Sequence, residues 1–374
     1  MVLRQSRISA DVDAVRAALS TVEDPEIHRP ITDLGMVSAV RVGRRGTVDV
    51  EISLTTASCP MKNTLRDTVV AAVREVPGVK EVNVDFGVMN ERQRMEVART
   101  LNDGRTNNPF SGPESTVRVY AVASGKGGVG KSSVTANLAV ALARTGRTVG
   151  LLDADVWGYS VPQLFGVRRA PVALNGTMMP IEAHGVRLMS TGFLVEDETP
   201  VVWRGPMLHK ALEQFLGDVH WGDLDVLLLD LPPGTGDITL SLAELLPAMQ
   251  MVVVTTPQEA AQTVATRVGR MARNLRLPVA GVIENMSRLA CGTCGSQTAL
   301  FGSGGGSRLA KALDTDLLGE VPLDLALREA GDIGVPVVAG TPDAPSAREL
   351  ARIAAALPVV RRSLVGMPLP LSVV

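Results

Sequence analysis

The run Gly125-Lys126-Gly127-Gly128-Val129-Gly130-Lys131-Ser132 concentrates the backbone freedom and the charge that phosphate binding requires. Two glycines with four residues between them, then Lys and Ser, form the phosphate-loop pattern. Glycines let the chain wrap an anion, so that successive N–H groups and the N-terminus of the following helix point at it. Lys131 is placed to reach the β- and γ-phosphates of a nucleotide and the Ser132 hydroxyl to ligate Mg²⁺. The candidate contacts are therefore Gly125, Lys126, Gly127, Gly128, Val129, Gly130, Lys131, Ser132 and Ser133. A Gly-rich surface turn is the bland alternative. The chain has only six lysines, and two of them fall in this run, so composition alone would rarely produce it.

Two apolar stretches end in acids. Leu151-Leu152-Asp153-Ala154-Asp155 and Val226-Leu227-Leu228-Leu229-Asp230 read as buried strands. Carboxylates at the carboxyl ends of parallel strands face the crevice where ligands bind. Asp230 is expected in the Mg²⁺ shell. Of Asp153 and Asp155, one would orient an attacking water and the other help hold Mg²⁺, although Asp153 could equally cap the turn after its strand. Leu231-Pro232-Pro233-Gly234-Thr235-Gly236-Asp237 has the composition of a switch loop: prolines stiffen its entry, and Gly234 lets a backbone N–H approach the γ-phosphate. The guanine-binding pattern Asn-Lys-x-Asp does not occur in the sequence, which favours ATP over GTP.

Cys291-Gly292-Thr293-Cys294 brings two thiols within one metal's reach. An iron–sulfur cluster or a structural Zn²⁺ normally takes four protein ligands, and no His lies near in sequence. The pair therefore predicts a symmetric dimer in which each copy gives Cys291 and Cys294 to one bridging site. A redox dithiol and incidental thiols are the competing readings.

These groups need elements to hold them. An apolar strand is predicted over 117–123 before the phosphate loop, with a helix over 133–143 after it. Further strands are predicted over 147–152, 224–230, 250–255, 278–284 and 316–320, separated by helical patterns. That alternation argues for an α/β fold, a mostly parallel sheet covered by helices on both faces. Before it, residues 1–89 read as a small α+β domain: helices over 12–19 and 62–76, strands over 37–42, 48–54 and 79–86. From 90 to 115 the apolar pattern fades and turn residues punctuate it, so this is read as a linker with a helical first part. The domain carrying the loop then runs over 116–358, and 359–374, with Pro368 and Pro370, reads as a loose tail.

Bulk properties exclude several classes. With 374 residues, 45% hydrophobic and a formal net charge of −2, the chain is an ordinary globular one with no electrostatic case for nucleic acid. No apolar run approaches a membrane span, and no secretory h-region is expected at the N-terminus. Three cysteines, Cys59, Cys291 and Cys294, are not a disulfide framework, so a reducing cytoplasm is the expectation.

Lys126 makes the loop more specific. Lys-Gly-Gly-Val-Gly-Lys-Ser resembles the deviant loop of the nitrogenase iron protein and MinD/ParA class of dimeric ATPases. That resemblance implies that Lys126 reaches the partner's phosphates across a nucleotide-sandwich homodimer. It also implies that Asp155 activates water, that Asn285 faces adenine and that Pro322 packs on the ring. Asp-Ala-Asp-Val-Trp-Gly-Tyr-Ser, Pro-Pro-Gly-Thr-Gly-Asp, Glu-Asn-Met-Ser, Cys-Gly-Thr-Cys-Gly and Leu-Phe-Gly-Ser-Gly-Gly-Gly follow in order. Together they resemble the Mrp/ApbC family of iron–sulfur cluster carrier ATPases over 116–357, with Gly158-Tyr159-Ser160 where that family usually has Gly-Pro-Ser. The resemblance implies a slow ATP hydrolase with ATP, Mg²⁺ and a [4Fe–4S] cluster, taking clusters from assembly machinery and passing them to apo iron–sulfur proteins. A MinD/ParA-like positioning switch and a zinc-bridged dimer remain the alternatives; the first has no use for the cysteine pair, and thiolates serve both metals. Asp24-Pro25-Glu26-Ile27 and Thr55-Thr56-Ala57-Ser58-Cys59-Pro60 resemble the small SufT-type iron–sulfur assembly domain. Cys59, before a helix, is a possible metal-binding thiol or a buried structural one.

Overall fold

The structure is a computed structural model that describes residues 11–43, 46–55, 61–102, 108–112, 115–174, 176–193, 205–290, 294 and 296–357. Cys59, Cys291 and the proposed tail lie outside them. The chain forms two compact units, one of Met1–Arg105 with Val172–Pro180 and Asp218–Gly222, the other of the remainder.

The first unit is built on α1 (Val12–Leu19), β1 (Val37–Val42), β2 (Thr47–Leu54), α2 (Lys62–Arg74), β3 (Glu81–Val88) and α3 (Glu91–Asn102). β1 and β2 pair antiparallel, while β2 and β3 pair parallel, which requires the α2 crossover between them. Every second residue of β2, Val48, Val50, Ile52 and Leu54, is buried, and α2 meets that face with Leu65, Val69 and Val73 at four-residue spacing. The stretch read as the start of a linker is α3. Its Val97 and Leu101, one turn apart, are buried in this unit's core, too sparse a stripe to stand out in sequence. Asp24 is a turn residue: its buried carboxylate accepts the N–H groups of Glu26 and Ile27, each at 2.9 Å, and burial pushes its pKa up.

The second unit runs β4 (Arg118–Ser124), α4 (Lys131–Arg144), β5 (Val149–Asp153) and α5 (Val161–Leu164). Next come β6 (Ala173–Leu174) and β7 (Thr177–Met178), a short antiparallel pair that belongs to the first unit. The second unit resumes with β8 (Ile181–Ala183), β9 (Val186–Ser190), α6 (Gly205–Gly217), β10 (Val226–Asp230), α7 (Asp237–Leu245), β11 (Gln250–Thr255) and α8 (Glu259–Asn274). It closes with β12 (Val279–Ala290), β13 (Gln297–Thr298), α9 (Gly305–Ala312), β14 (Leu317–Leu323), α10 (Leu325–Ile333), α11 (Val337–Gly340) and α12 (Pro345–Ala356).

The sheet order is β13-β12-β11-β4-β10-β5-β9-β8, with β14 beside β12. Within this sheet, among the described strands, only the edge pairs β12/β13 and β8/β9 are antiparallel. Every residue of the central strands β5 and β10, and all of β4 after Arg118, is buried, as a sheet covered on both faces demands. α4 is buried on nearly every side, which fits its run of Ala, Val and Leu. The hairpin β8–β9 was not anticipated; its strands are short and lack a strong alternating pattern. β12 is longer than the predicted 278–284. It continues through a bulge, with Met286 at φ 57°, and its end is held by pairing of Leu289 and Ala290 with β13. Among the described residues, no helix is long and apolar enough to cross a membrane.

Candidate functional site

The carboxyl ends of β4, β5 and β10 lie side by side, with Asp230 in register with both Val122 and Asp153. The chain leaves β4 through the phosphate loop and enters α4 with Gly130 as N-cap, at φ 80°. That left-handed backbone suits glycine, and a Cβ there would also overlap the Asn285 amide. Gly125 has a different reason: its backbone lies so close to Val264 and Ala265 of α8 that any side chain would collide with main chain.

Lys126 through Ser133 line a cavity of about 270 Å³ together with Ser124, Asp155, Gly158, Ser160 and Pro233. Behind it, Lys131 Nζ lies 2.8 Å from Asp230 Oδ1, with the lysine 6% and the aspartate 0% exposed. The Ser132 hydroxyl donates to Asp230 Oδ2 at 2.5 Å and the Thr135 hydroxyl to Oδ1 at 2.8 Å. Each charge of this buried pair is therefore satisfied by the other and by neighbouring hydroxyls, the condition for tolerating charges out of water. Thr135 was missed in the sequence, although its position one turn beyond Lys131 places it on the same helix face.

The two candidate acids of the β5 end separate. Asp153 is fully buried and accepts the N–H groups of Asp155 and Val161 and the Ser190 hydroxyl, so it ties the strand end to the following loop. Burial and the charge of Asp230 beside it push Asp153 up to about 7. Asp155 faces the cavity and accepts the Gly158 N–H at 3.0 Å; burial raises its pKa too. Asp153 does not line the cavity, and neither does Gly234, whose N–H donates to Ser124 O at 2.8 Å.

Lys126 Nζ donates to Gln258 Oε1 at 3.1 Å, a partner 132 residues away that no local pattern announces. Asn285 donates from Nδ2 to Val129 O at 2.8 Å, while its buried Oδ1 has no partner among the described residues. Asn285 and Pro322 meet in a second, more apolar cavity of about 310 Å³ with Met286, Leu323 and Leu327. It shares Gly130, Ser133 and Ser160 with the phosphate cavity. The two together have the form of a nucleotide site, anion cradle at one end and apolar slot at the other.

Cys294 is exposed, its Sγ 3.1 Å from the Ser296 hydroxyl, and follows shortly after the end of β12. Among the described residues there is no group of three or more His, Cys, Asp or Glu able to hold a metal.

Comparison with known proteins bears on this arrangement. A family model described as NUBPL iron-transfer P-loop NTPase matches residues 115–358, and one described as iron-sulfur cluster assembly protein matches residues 12–86. The chain is 50% identical over 367 residues to an iron-sulfur cluster carrier protein of Mycobacterium bovis, with 96% of each chain covered. It is 43% identical to the protein of that name from Deinococcus radiodurans, over 92% of this chain and 94% of the relative. Among solved structures, a nucleotide-binding protein of Archaeoglobus fulgidus in complex with ADP is 39% identical and superposes with a TM-score of 0.52, covering 58% of this chain and 86% of that one. By the span of that family model and by its identity to the carriers, the chain belongs to the NUBPL iron-transfer P-loop NTPase family of iron–sulfur cluster carriers.

Proposed function

We propose that the protein is an ATP-hydrolysing carrier that holds a [4Fe–4S] cluster between two copies of itself and delivers it to apo iron–sulfur proteins in the cytoplasm. One observation carries this reading. β12 holds Asn285 against the phosphate loop and ends at Ala290, the residue before the cysteine pair. A single strand thus spans from the nucleotide pocket to the cluster ligands, so a shift at one end is felt at the other.

In this reading the phosphate-loop N–H groups and Lys131 bind the β- and γ-phosphates, and the adenine enters the slot between Asn285 and Pro322. The unpartnered Asn285 Oδ1 is an acceptor suited to an exocyclic amine. The Ser132 hydroxyl and the carboxylates of Asp230 and Asp155 form the hard oxygen set that Mg²⁺ prefers, and the ion would offset charge on the phosphate oxygens. Asp155, which faces the phosphate cavity, orients the attacking water. Lys126, released from Gln258, supplies charge to the partner copy's phosphates, a contribution worth on the order of 10³–10⁵ in rate where a cation is given in trans. The cluster is cargo: Cys291 and Cys294 of each copy supply its four thiolates, and assembly machinery supplies the cluster.

Anaerobic reconstitution with iron and sulfide tests this reading, on the wild type and on Cys291→Ser/Cys294→Ser. About four irons per dimer, lost in the variant, is the expected result. Tightly held zinc in place of iron, or neither metal, would overturn it. Equal cluster retention with ATP, with ADP and without nucleotide would remove the coupling through β12.

A further inference from the structure

Gln258 is the N-cap residue of α8, and its side chain caps nothing. Ser, Thr, Asp and Asn suit that position because their short side chains bond the first-turn N–H groups; the longer glutamine gives the helix no such help. Its Oε1 accepts instead from Lys126 Nζ at 3.1 Å, and both residues are half-buried. The main chain of the lysine is fixed separately, since its carbonyl accepts the Ser124 hydroxyl at 3.1 Å. What is left to move is the Lys126 side chain, and a neutral amide holds it. Three contacts set how far Gln258 reaches. Gly125 lies against the main chain of Val264 and Ala265, so α8 rests on the phosphate loop with no side chain between. Gln262, one turn into α8, donates to Pro257 O at 2.8 Å and accepts from Arg308 Nε at 3.1 Å, while Arg308 also donates to Ser303 O at 3.1 Å. Gly305 approaches Pro257 and Gln262 too closely for any Cβ. The glycine run Gly302-Ser303-Gly304-Gly305-Gly306, which the nucleotide reading leaves unused, thus braces the turn that presents Gln258.

We infer that Gln258 is a positioning residue for Lys126: it parks the lysine on its own chain in the free protein and yields it to the phosphates of a second copy. The inference rests on the reading of Lys126 as a cation supplied in trans. An amide suits this task. As a dipole it orients the ammonium group without neutralising it, whereas the phosphates of a nucleotide carry full charges and attract it more strongly at the same distance. A carboxylate in the same place would hold the lysine against that competition, and an apolar side chain would leave it spread over many rotamers. A molecule whose lysine is parked cannot complete the pair, so the apparent affinity between copies is reduced to the fraction that is unparked. Gln258 therefore sets how readily two nucleotide-loaded copies join, without touching the nucleotide itself.

The test has two readouts on the full chain. In the first, dilute nucleotide-free protein is acetylated with acetic anhydride and Lys126 is followed by peptide mass spectrometry. Gln258→Ala should label Lys126 about threefold faster or more, and Gln258→Glu, of the same shape but anionic, more slowly than wild type. Lys131, buried against Asp230, stays unlabelled in any variant that is folded. In the second, sedimentation velocity with Mg–AMPPNP gives the Kd between copies. Gln258→Ala should tighten it about fivefold and Gln258→Glu weaken it by a similar factor, and both shifts should vanish in a Lys126→Ala background. A merely structural role at the start of α8 would move the two Gln258 variants in the same direction and would persist without Lys126; either result overturns the inference. Unchanged labelling in both variants overturns it as well. A dimer that forms but ignores Gln258 removes this role and leaves the carrier reading intact. A wild type that stays monomeric with the nucleotide overturns the two-copy reading and, with it, the release of Lys126.

Discussion

The buried pair Lys131–Asp230 makes the sharpest energetic prediction. The two groups lie 2.8 Å apart with almost no exposure. Neutralising one partner of such a pair leaves an uncompensated buried charge, at a cost of about 3–5 kcal/mol. Asp230→Asn should fall at the lower end of that range. Asp153, held up to about 7 partly by the charge of Asp230, ionises more easily once that charge is gone and offsets some of the positive charge left on Lys131. Lys131→Met alone should be destabilising too, because Asp230 is then stranded beside Asp153. The double variant removes both charges, so the losses should not add. A coupling of about 2 kcal/mol is expected. The assay is native-state amide exchange of β10 and α4 in nucleotide-free, Mg²⁺-free protein at pH 7.5, which reads the second unit without assuming that both units unfold together. Single losses that add to within about 0.5 kcal/mol would refute the claim that these charges are mutually dependent.

Two further perturbations follow from the geometry. Gly130→Ala forces a side chain into left-handed backbone and displaces the Asn285 amide from Val129 O; the combined loss should be about 2 kcal/mol, and ADP binding, measured by calorimetry, should weaken at least about tenfold. Glu284, whose buried carboxylate accepts the Gly306 N–H, has its pKa raised, chiefly by burial. A carboxyl raised in the folded state adds stability that is complete below its unfolded value and is lost as pH rises through the folded one. Thermal melts of wild type and Glu284→Gln from pH 4 to 8 should therefore show wild type losing ground to the variant as pH rises. A difference independent of pH would show that the folded carboxyl titrates normally.

The parts of this molecule whose physics is local are legible in its residues. Glycines at fixed spacing, followed by Lys and Ser between an apolar strand and a helix, announce a phosphate loop, because backbone freedom and charge are properties of the residues themselves. Likewise the apolar runs ending in Asp153 and Asp230 announce a parallel sheet with acids at its ligand edge, and those strands stand where the pattern put them. Tertiary structure alone decided who meets whom. Asp153 and Asp155 are two residues apart and chemically identical, yet the first is walled in by Ser190 and Val161 while the second opens on the cavity. Lys126 finds Gln258, Asn285 finds Val129, and Tyr159 settles on Gly192, all across long stretches of chain. Val172–Pro180 and Asp218–Gly222 join the first compact unit although they lie within the sequence of the second. Periodicity shows which face of an element turns inward, but burial is non-directional. The choice among distant partners falls to packing and to the need to satisfy every buried polar group at once.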